Sequence, residues 1–147
     1  MSTVNIVYWS GTGNTEAMAN MLAEGVKAAG GEAKLLQVGE ANAADLQNEK
    51  VFALGCPAMG AEVLEESEME PFMAELEGGL SGKQLVLFGS YGWGDGEWMR
   101  EWVDRVTKAG AVVLTGEGIM ANDAPDDEAK KKCEEAGKLL AKAATSN

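Results

Sequence analysis

Short β-rich apolar runs alternate with amphipathic helical stripes along this chain, and that alternation leaves few folds open to it. The runs lie at residues 4–9, 33–38, 51–55, 84–89 and 111–115, and several are almost continuously apolar, as strands covered on both faces must be. Between them, Met18, Met21, Leu22, Val26 and Ala29 fall on one helical stripe. Met99, Trp102, Val103 and Val106 form another, and Cys133, Ala136, Gly137, Leu140 and Ala141 a third. A weaker helix is expected over residues 71–76 and a short one over 43–48. Gly30-Gly31 and Gly78-Gly79 read as helix stops, and Pro125 followed by Asp126, Asp127 and Glu128 as a start whose acids suit the helix dipole. Strand-helix alternation with right-handed crossovers gives a doubly wound α/β domain, its parallel sheet covered by helices on both faces. At 147 residues one such domain, spanning residues 1–147, is expected. Ligands of these sheets bind beyond the carboxyl ends of the strands, where the strand order reverses.

Composition narrows the chemistry. The chain has no histidine and two cysteines, Cys56 and Cys133, that form no CxxC pair. Ser-His-Asp, Cys-His and His-based metal schemes are therefore excluded. Both cysteines are expected to pack as small buried hydrophobes. Twelve Lys and Arg against 24 Asp and Glu give a net charge of -12, a field that repels nucleic acid and anionic lipid. No Lys or Arg occurs between residues 51 and 82, where Glu62, Glu65, Glu66, Glu68, Glu70, Glu75 and Glu77 crowd together. That stretch would steer a basic partner, unless it is only a solvated face. The start of the chain lacks the basic region and cleavage site of a secretory signal, and no segment reaches the apolar length of a membrane span. A cytoplasmic protein is expected.

Three loops at the binding end of the sheet carry the functional signal. After the first run comes Ser10-Gly11-Thr12-Gly13-Asn14-Thr15-Glu16, which leads into a helix. Glycines and small hydroxyl residues there let backbone N–H groups turn inward at a helix N-terminus, forming a phosphate cradle. The loop lacks the Gly-Lys-Ser/Thr of a P-loop, and Glu16 stands where a dinucleotide fingerprint needs a third glycine. With no lysine in it, the cradle would hold a phosphate by neutral donors rather than transfer one. After the third run, Cys56-Pro57-Ala58-Met59-Gly60-Ala61-Glu62 offers an open backbone platform in which the Gly60 peptide can turn over. Glu62 stands where a phosphatase loop of the Cys-x5-Arg kind would need Arg. After the fourth run, Ser90-Tyr91-Gly92-Trp93-Gly94-Asp95-Gly96 places Trp93 between glycines, free to stack on a planar ligand. Trp9, at a strand end, and Trp102, at helical spacing, are expected in the core. A cradle, a platform and an aromatic face without a general base describe a site for a phosphorylated planar group that does its own chemistry, and flavin mononucleotide (FMN) fits.

These residues resemble a known family, the short-chain flavodoxins of anaerobic bacteria. The resemblance is carried by Ile6-Val7-Tyr8-Trp9-Ser10-Gly11-Thr12-Gly13-Asn14-Thr15-Glu16, by Leu54-Gly55-Cys56-Pro57-Ala58-Met59-Gly60, by Glu65-Glu66-Ser67-Glu68 with Glu70-Pro71-Phe72, and by Leu87-Phe88-Gly89-Ser90-Tyr91-Gly92-Trp93-Gly94-Asp95-Gly96. It extends over nearly the whole chain, with no sign of the insertion in the last strand that marks the long-chain group. It implies a five-stranded parallel sheet in the order 2-1-3-4-5. It implies that residues Ser10 to Thr15 hold the FMN phosphate, with Pro57 and Ala58 near the ribityl chain. Trp93 would stack on one face of the flavin ring, Met59 would cover part of the other, and Glu62 would accept from the flavin N3–H. Backbone groups around Gly92 and Trp93 would face the pyrimidine edge, with Ser90, Tyr91, Gly94 and Asp95 in the same loop. The Gly60 carbonyl would swing to accept a hydrogen bond from the proton that N5 gains, favouring the neutral semiquinone. Ala61 stands where family members often carry a polar residue, which influences how readily that turn switches. The implied function is a monomeric low-potential one-electron carrier that substitutes for ferredoxin, with no substrate of its own. Its implied partners are ferredoxin-dependent oxidoreductases or reductases with basic docking surfaces. The alternative is an FMN-dependent NAD(P)H or quinone reductase of the same fold, which would leave a flavin face open to a second substrate.

Overall fold

The computed structural model describes residues 3–11, 13–59, 63–92 and 94–145. Among these residues, five α-helices alternate with a parallel sheet built on β1 (Thr3–Tyr8), β2 (Glu32–Gln37), β3 (Val51–Gly55) and β4 (Gln84–Tyr91). The order is β2-β1-β3-β4-β5, as expected, so the chain reverses direction across the sheet between β1 and β3. The fifth position differs from the sequence expectation. Only Val112–Val113 of the expected run pairs as β5, beside Gln84 and Leu85 at the start of β4. The chain then turns through Thr115-Gly116-Glu117-Gly118, with Gly116 at φ 79°, and returns as β6 (Ile119–Asn122) beside Phe88 to Tyr91. The eight-residue β4 is long enough to bind both pieces, so the break in the last strand takes it past the turn and on to the binding end.

Side chains of the central strands alternate between two cores. Val7, Phe52, Leu54, Leu85 and Leu87 face α2 (Ala43–Leu46), α3 (Met69–Leu76) and α4 (Glu97–Lys108). Ile6, Tyr8, Ala53, Val86 and Phe88 face α1 (Asn14–Ala28) and α5 (Asp127–Thr145). Helices α1 and α5 cross almost backbone to backbone. A methyl added at Gly25 would lie 2.0 Å from the Glu134 carbonyl oxygen, and one at Gly137 2.1 Å from that of Leu22. Both expected cysteines are buried as free thiols, and burial pushes each thiol pKa up to about 12. Among the described residues no helix is long and apolar enough to cross a membrane.

The acidic stretch is not one solvated face. Glu65 is 6% exposed, and its carboxylate accepts the N–H groups of Ser67 (2.9 Å), Glu68 (2.8 Å) and Met69 (3.0 Å) together with the Ser67 hydroxyl. It thereby caps the start of α3, satisfying donors that the first helical turn leaves unpaired. Glu70 and Glu77 both bind Arg105 of α4, the first through two parallel bonds of 2.8 and 2.7 Å and the second at 2.6 Å. These pairs tie α3 to α4 and hold the Arg105 guanidinium firmly charged. Glu66, Glu68 and Glu75 remain exposed. Burial alone would push the Glu65 carboxyl up, but the hydrogen bonds from Ser67, Met69 and Glu68 outweigh it and leave its pKa below the ordinary value. A pKa lowered by folding stabilises the native state above the unfolded-chain value, and that stabilisation is lost as pH falls through the folded value. Urea unfolding of Glu65→Gln should therefore show a loss on the order of 2 kcal/mol at neutral pH. The gap between the two proteins should shrink on acidification below the ordinary carboxylate range, and a gap independent of pH would contradict the charged cap.

Candidate functional site

The carboxyl ends of β1, β3 and β4 converge at the reversal point, and the three loops leave from there. The loop after β1 is a donor cup. Gly13, with φ 96°, turns the chain into α1, a conformation that glycine adopts without strain. The backbone N–H groups of Gly13 and Glu16 then both donate to one oxygen, the Ser10 hydroxyl, at 3.2 Å each. Two amides and the positive end of a fifteen-residue helix thus aim at one point, an arrangement that favours an anion. Glu16 would oppose one. Its carboxylate instead accepts the Tyr8 hydroxyl at 2.9 Å. Burial and the neighbouring Glu16 charge raise the Tyr8 pKa, which keeps that phenol a donor.

Beside the cup lies a cleft of about 260 Å³. Its floor and one wall come from Pro57, Ala58 and Met59 after β3, and the opposite wall from Ser90 and Tyr91 at the end of β4 and Gly92 just beyond it. Gly11 and Asn14 connect it to the cup. The two walls are in register, because Cys56 N donates to Phe88 O and Ala58 N to Ser90 O, both at 3.0 Å. Beyond Met59 the platform is closed by a two-residue antiparallel bridge from Met59 to Val63. Asp123 is the single charged residue among the described lining, so no cation faces the cleft there. A larger groove of about 470 Å³ lies between α5 and residues 114–120, but its described walls carry no aromatic ring.

Most of the expected site residues that can be followed meet at this cleft or the cup beside it, whereas Thr15, Gly94 and Asp95 lie off its lining. Thr15 and Ser90 are buried and bond to each other, hydroxyl to hydroxyl at 3.0 Å, while Ser90 N donates to Thr15 Oγ1 at 3.3 Å. Their hydroxyls lock the first turn of α1 to β4 across 75 residues of sequence. Gly94 and Asp95 are exposed and lie outside the cleft lining, and the Asp95 carboxylate pairs with Arg100 at 3.1 Å. Thr12, Gly60, Ala61, Glu62 and Trp93 lie outside the described residues, so the stacking, N3 and peptide-switch expectations fall there.

Two residues of the cleft escape the sequence reading. Trp9 is core only in part: β1 ends at Tyr8, and the half-buried indole packs against the α3–α4 core on one side while also lining the cleft, where a methyl on Gly11 would lie 3.1 Å from its ring. Asp123, beyond β6, holds φ 57° and donates its N–H to Tyr91 O at 2.8 Å. Its signal in the sequence is the pair Asn122-Asp123 after an apolar run, since Asn and Asp tolerate a positive φ better than other side chains.

Comparison with known proteins agrees with this geometry. The flavodoxin family model matches residues 6–137. The chain is 49% identical over 138 residues to a flavodoxin of Clostridium beijerinckii, covering 94% of this chain and 99% of the relative. It is 50% identical over 140 residues to a flavodoxin of Megasphaera elsdenii, covering 95% and 99%. The solution structure of two-electron reduced Megasphaera elsdenii flavodoxin superposes with a TM-score of 0.86 at 48% identity, covering 95% of this chain and 98% of that one. The chain therefore belongs to the flavodoxin family, electron-transfer proteins that bind FMN and are not enzymes.

Proposed function

We propose that this protein is a low-potential single-electron carrier that can take the place of a ferredoxin, with FMN held between the β1 cup and the β3–β4 cleft. The observation that carries the reading is the convergence of the Gly13 and Glu16 amides on one oxygen at the mouth of a cleft whose described walls hold no cation. That donor set fits a phosphate monoester held by neutral groups, and the cleft walls of Trp9, Met59 and Tyr91 fit a flat apolar ring. Bound FMN supplies the redox chemistry, and the proposed working pair is its semiquinone and hydroquinone levels.

Each part of the chain has a role in this reading. Ser10, Gly11, Thr12, Gly13 and Asn14 surround the phosphate, with Thr15 fixing the helix that presents them. Pro57, Ala58 and Met59 support the chain and one ring face. Tyr91, Gly92 and Trp93 flank the other, with Ser90 anchoring that loop from behind. The Gly60 carbonyl serves N5 and Glu62 serves N3. Gly94 and Asp95 form the outer part of the Trp93 loop. A net charge of -12 and a cleft whose described charged residue is Asp123 both oppose added negative charge, so the second electron enters at low potential. Anaerobic reduction of the purified protein should pass through a long-wavelength one-electron species in high yield before bleaching. Direct bleaching in one two-electron step would contradict the reading.

The proposed partner is a redox protein with a basic docking surface. The exposed carboxylates available to it include Glu66, Glu68 and Glu75, whereas Glu65 is turned into the α3 cap and Glu70 and Glu77 are held by Arg105. Replacing Glu66 and Glu68 together with Gln should slow electron transfer to a basic partner several-fold at low ionic strength, and the difference should fade at high salt. Equal rates at every salt concentration would leave those carboxylates a solubility role only.

A further inference from the structure

The two strands that frame the cleft lose one rung of their ladder at its edge. Since Cys56 N donates to Phe88 O, a regular parallel register would next bring Ser90 N to Cys56 O. Ser90 N instead donates to Thr15 Oγ1, and Cys56 O accepts the indole Nε1–H of Trp98 at 3.0 Å. The carbonyl and the indole press on Gly89 from above: a methyl there would lie 2.1 Å from Cys56 O and 3.2 Å from Trp98 Cζ2. Trp98 sits in the first turn of α4 and is 2% exposed. Its ring also meets that of Tyr91, with centroids 5.6 Å apart and planes tilted by 49°.

From this geometry we infer that Trp98 is a positioning residue for the cofactor site, through the Cys56 carbonyl on one wall and the Tyr91 ring on the other. The inference rests on the cleft being the FMN site. Cys56 is the last residue before the Pro57-Ala58-Met59 platform, and Pro57 has no N–H of its own to fix the peptide. Rotation at Cys56 therefore moves the platform, and the indole N–H opposes that rotation because releasing it leaves a buried carbonyl unpaired. The Cys56 thiol reinforces the same corner, accepting from Glu65 N and donating to Pro57 O, both at 3.4 Å.

Trp102, one turn further along α4, supplies an internal control. It is 1% exposed, and its Nε1–H donates at 3.4 Å to Met73 Sδ on α3, away from the cleft walls. Trp98→Phe and Trp102→Phe each remove one buried indole N–H while keeping an aromatic ring. The tests are the FMN dissociation constant, the two one-electron potentials and the unfolding midpoint of each holoprotein. Trp98→Phe should raise the dissociation constant about tenfold and change the spacing of the potentials, whereas Trp102→Phe should lower the unfolding midpoint and leave binding within about twofold. Binding and potentials in Trp98→Phe that match those of Trp102→Phe would overturn the inference. Tyr91→Ala separates this from the site reading: weakened binding there with normal binding in Trp98→Phe overturns the role of Trp98 alone, and normal binding in both overturns the cleft as well. The unmodified protein gives a second reading by NMR. Adding FMN to the apoprotein should slow Nε1–H exchange more at Trp98 than at Trp102, and equal slowing at the two indoles would also overturn it.

Discussion

Two backbone amides that point at a single oxygen, at the start of a helix packed on the sheet, are the constraint around which this protein is arranged. A hydrogen-bond donor cup of this kind works only if the loop that forms it is held rigidly against the sheet. Gly13 allows the turn, Ser10 occupies the focus, and the Thr15–Ser90 pair fixes the first turn of α1 to β4. Tyr8 holds the one carboxylate of that turn. The remaining anchor is remote: α1 is pressed onto α5 through the bare backbones of Gly25 and Gly137, so the helix that supplies the dipole has little freedom to shift.

The chain leaves electron chemistry to its cofactor and supplies position and field. A strongly acidic molecule with no cation on the described walls of its cleft disfavours extra negative charge there. The acidic residues divide between two tasks. Glu65, Glu70 and Glu77 serve the fold, capping α3 and pinning it to α4, while Glu66, Glu68 and Glu75 face solvent. The Glu65 cap and the Cys56 thiol meet at the platform, so the architecture of α3 reaches the edge of the cleft.

The sequence makes the central sheet and the three loops legible because each leaves a local trace: continuous apolar runs for buried strands, and glycine-rich turns at the strand ends. What stays hidden depends on partners distant in sequence. The break between β5 and β6 comes from residues 114–118, five residues that stand opposite only Val86 and Leu87, and it shows only once both pieces are paired to the same β4. Trp9 looks like core from its place at the end of an apolar run, yet the strand stops one residue earlier and leaves the indole on the cleft. Thr15 and Ser90 have the right chemistry for a ligand, and they also bond to each other beside the cleft. Charge counting cannot separate a solvated glutamate from Glu65, whose partners are backbone amides, and helical spacing cannot tell that the indole of Trp98 replaces a rung of the sheet.

If neutral donors hold the phosphate, attraction between opposite charges contributes little to binding, and the protein's own charge works against it. Titrating the apoprotein with FMN and with riboflavin across a range of ionic strength tests this most directly. FMN should bind much more tightly than riboflavin, with an affinity that stays level or rises as salt screens the repulsion. An FMN affinity that falls steeply with salt, or equals that of riboflavin, would contradict it.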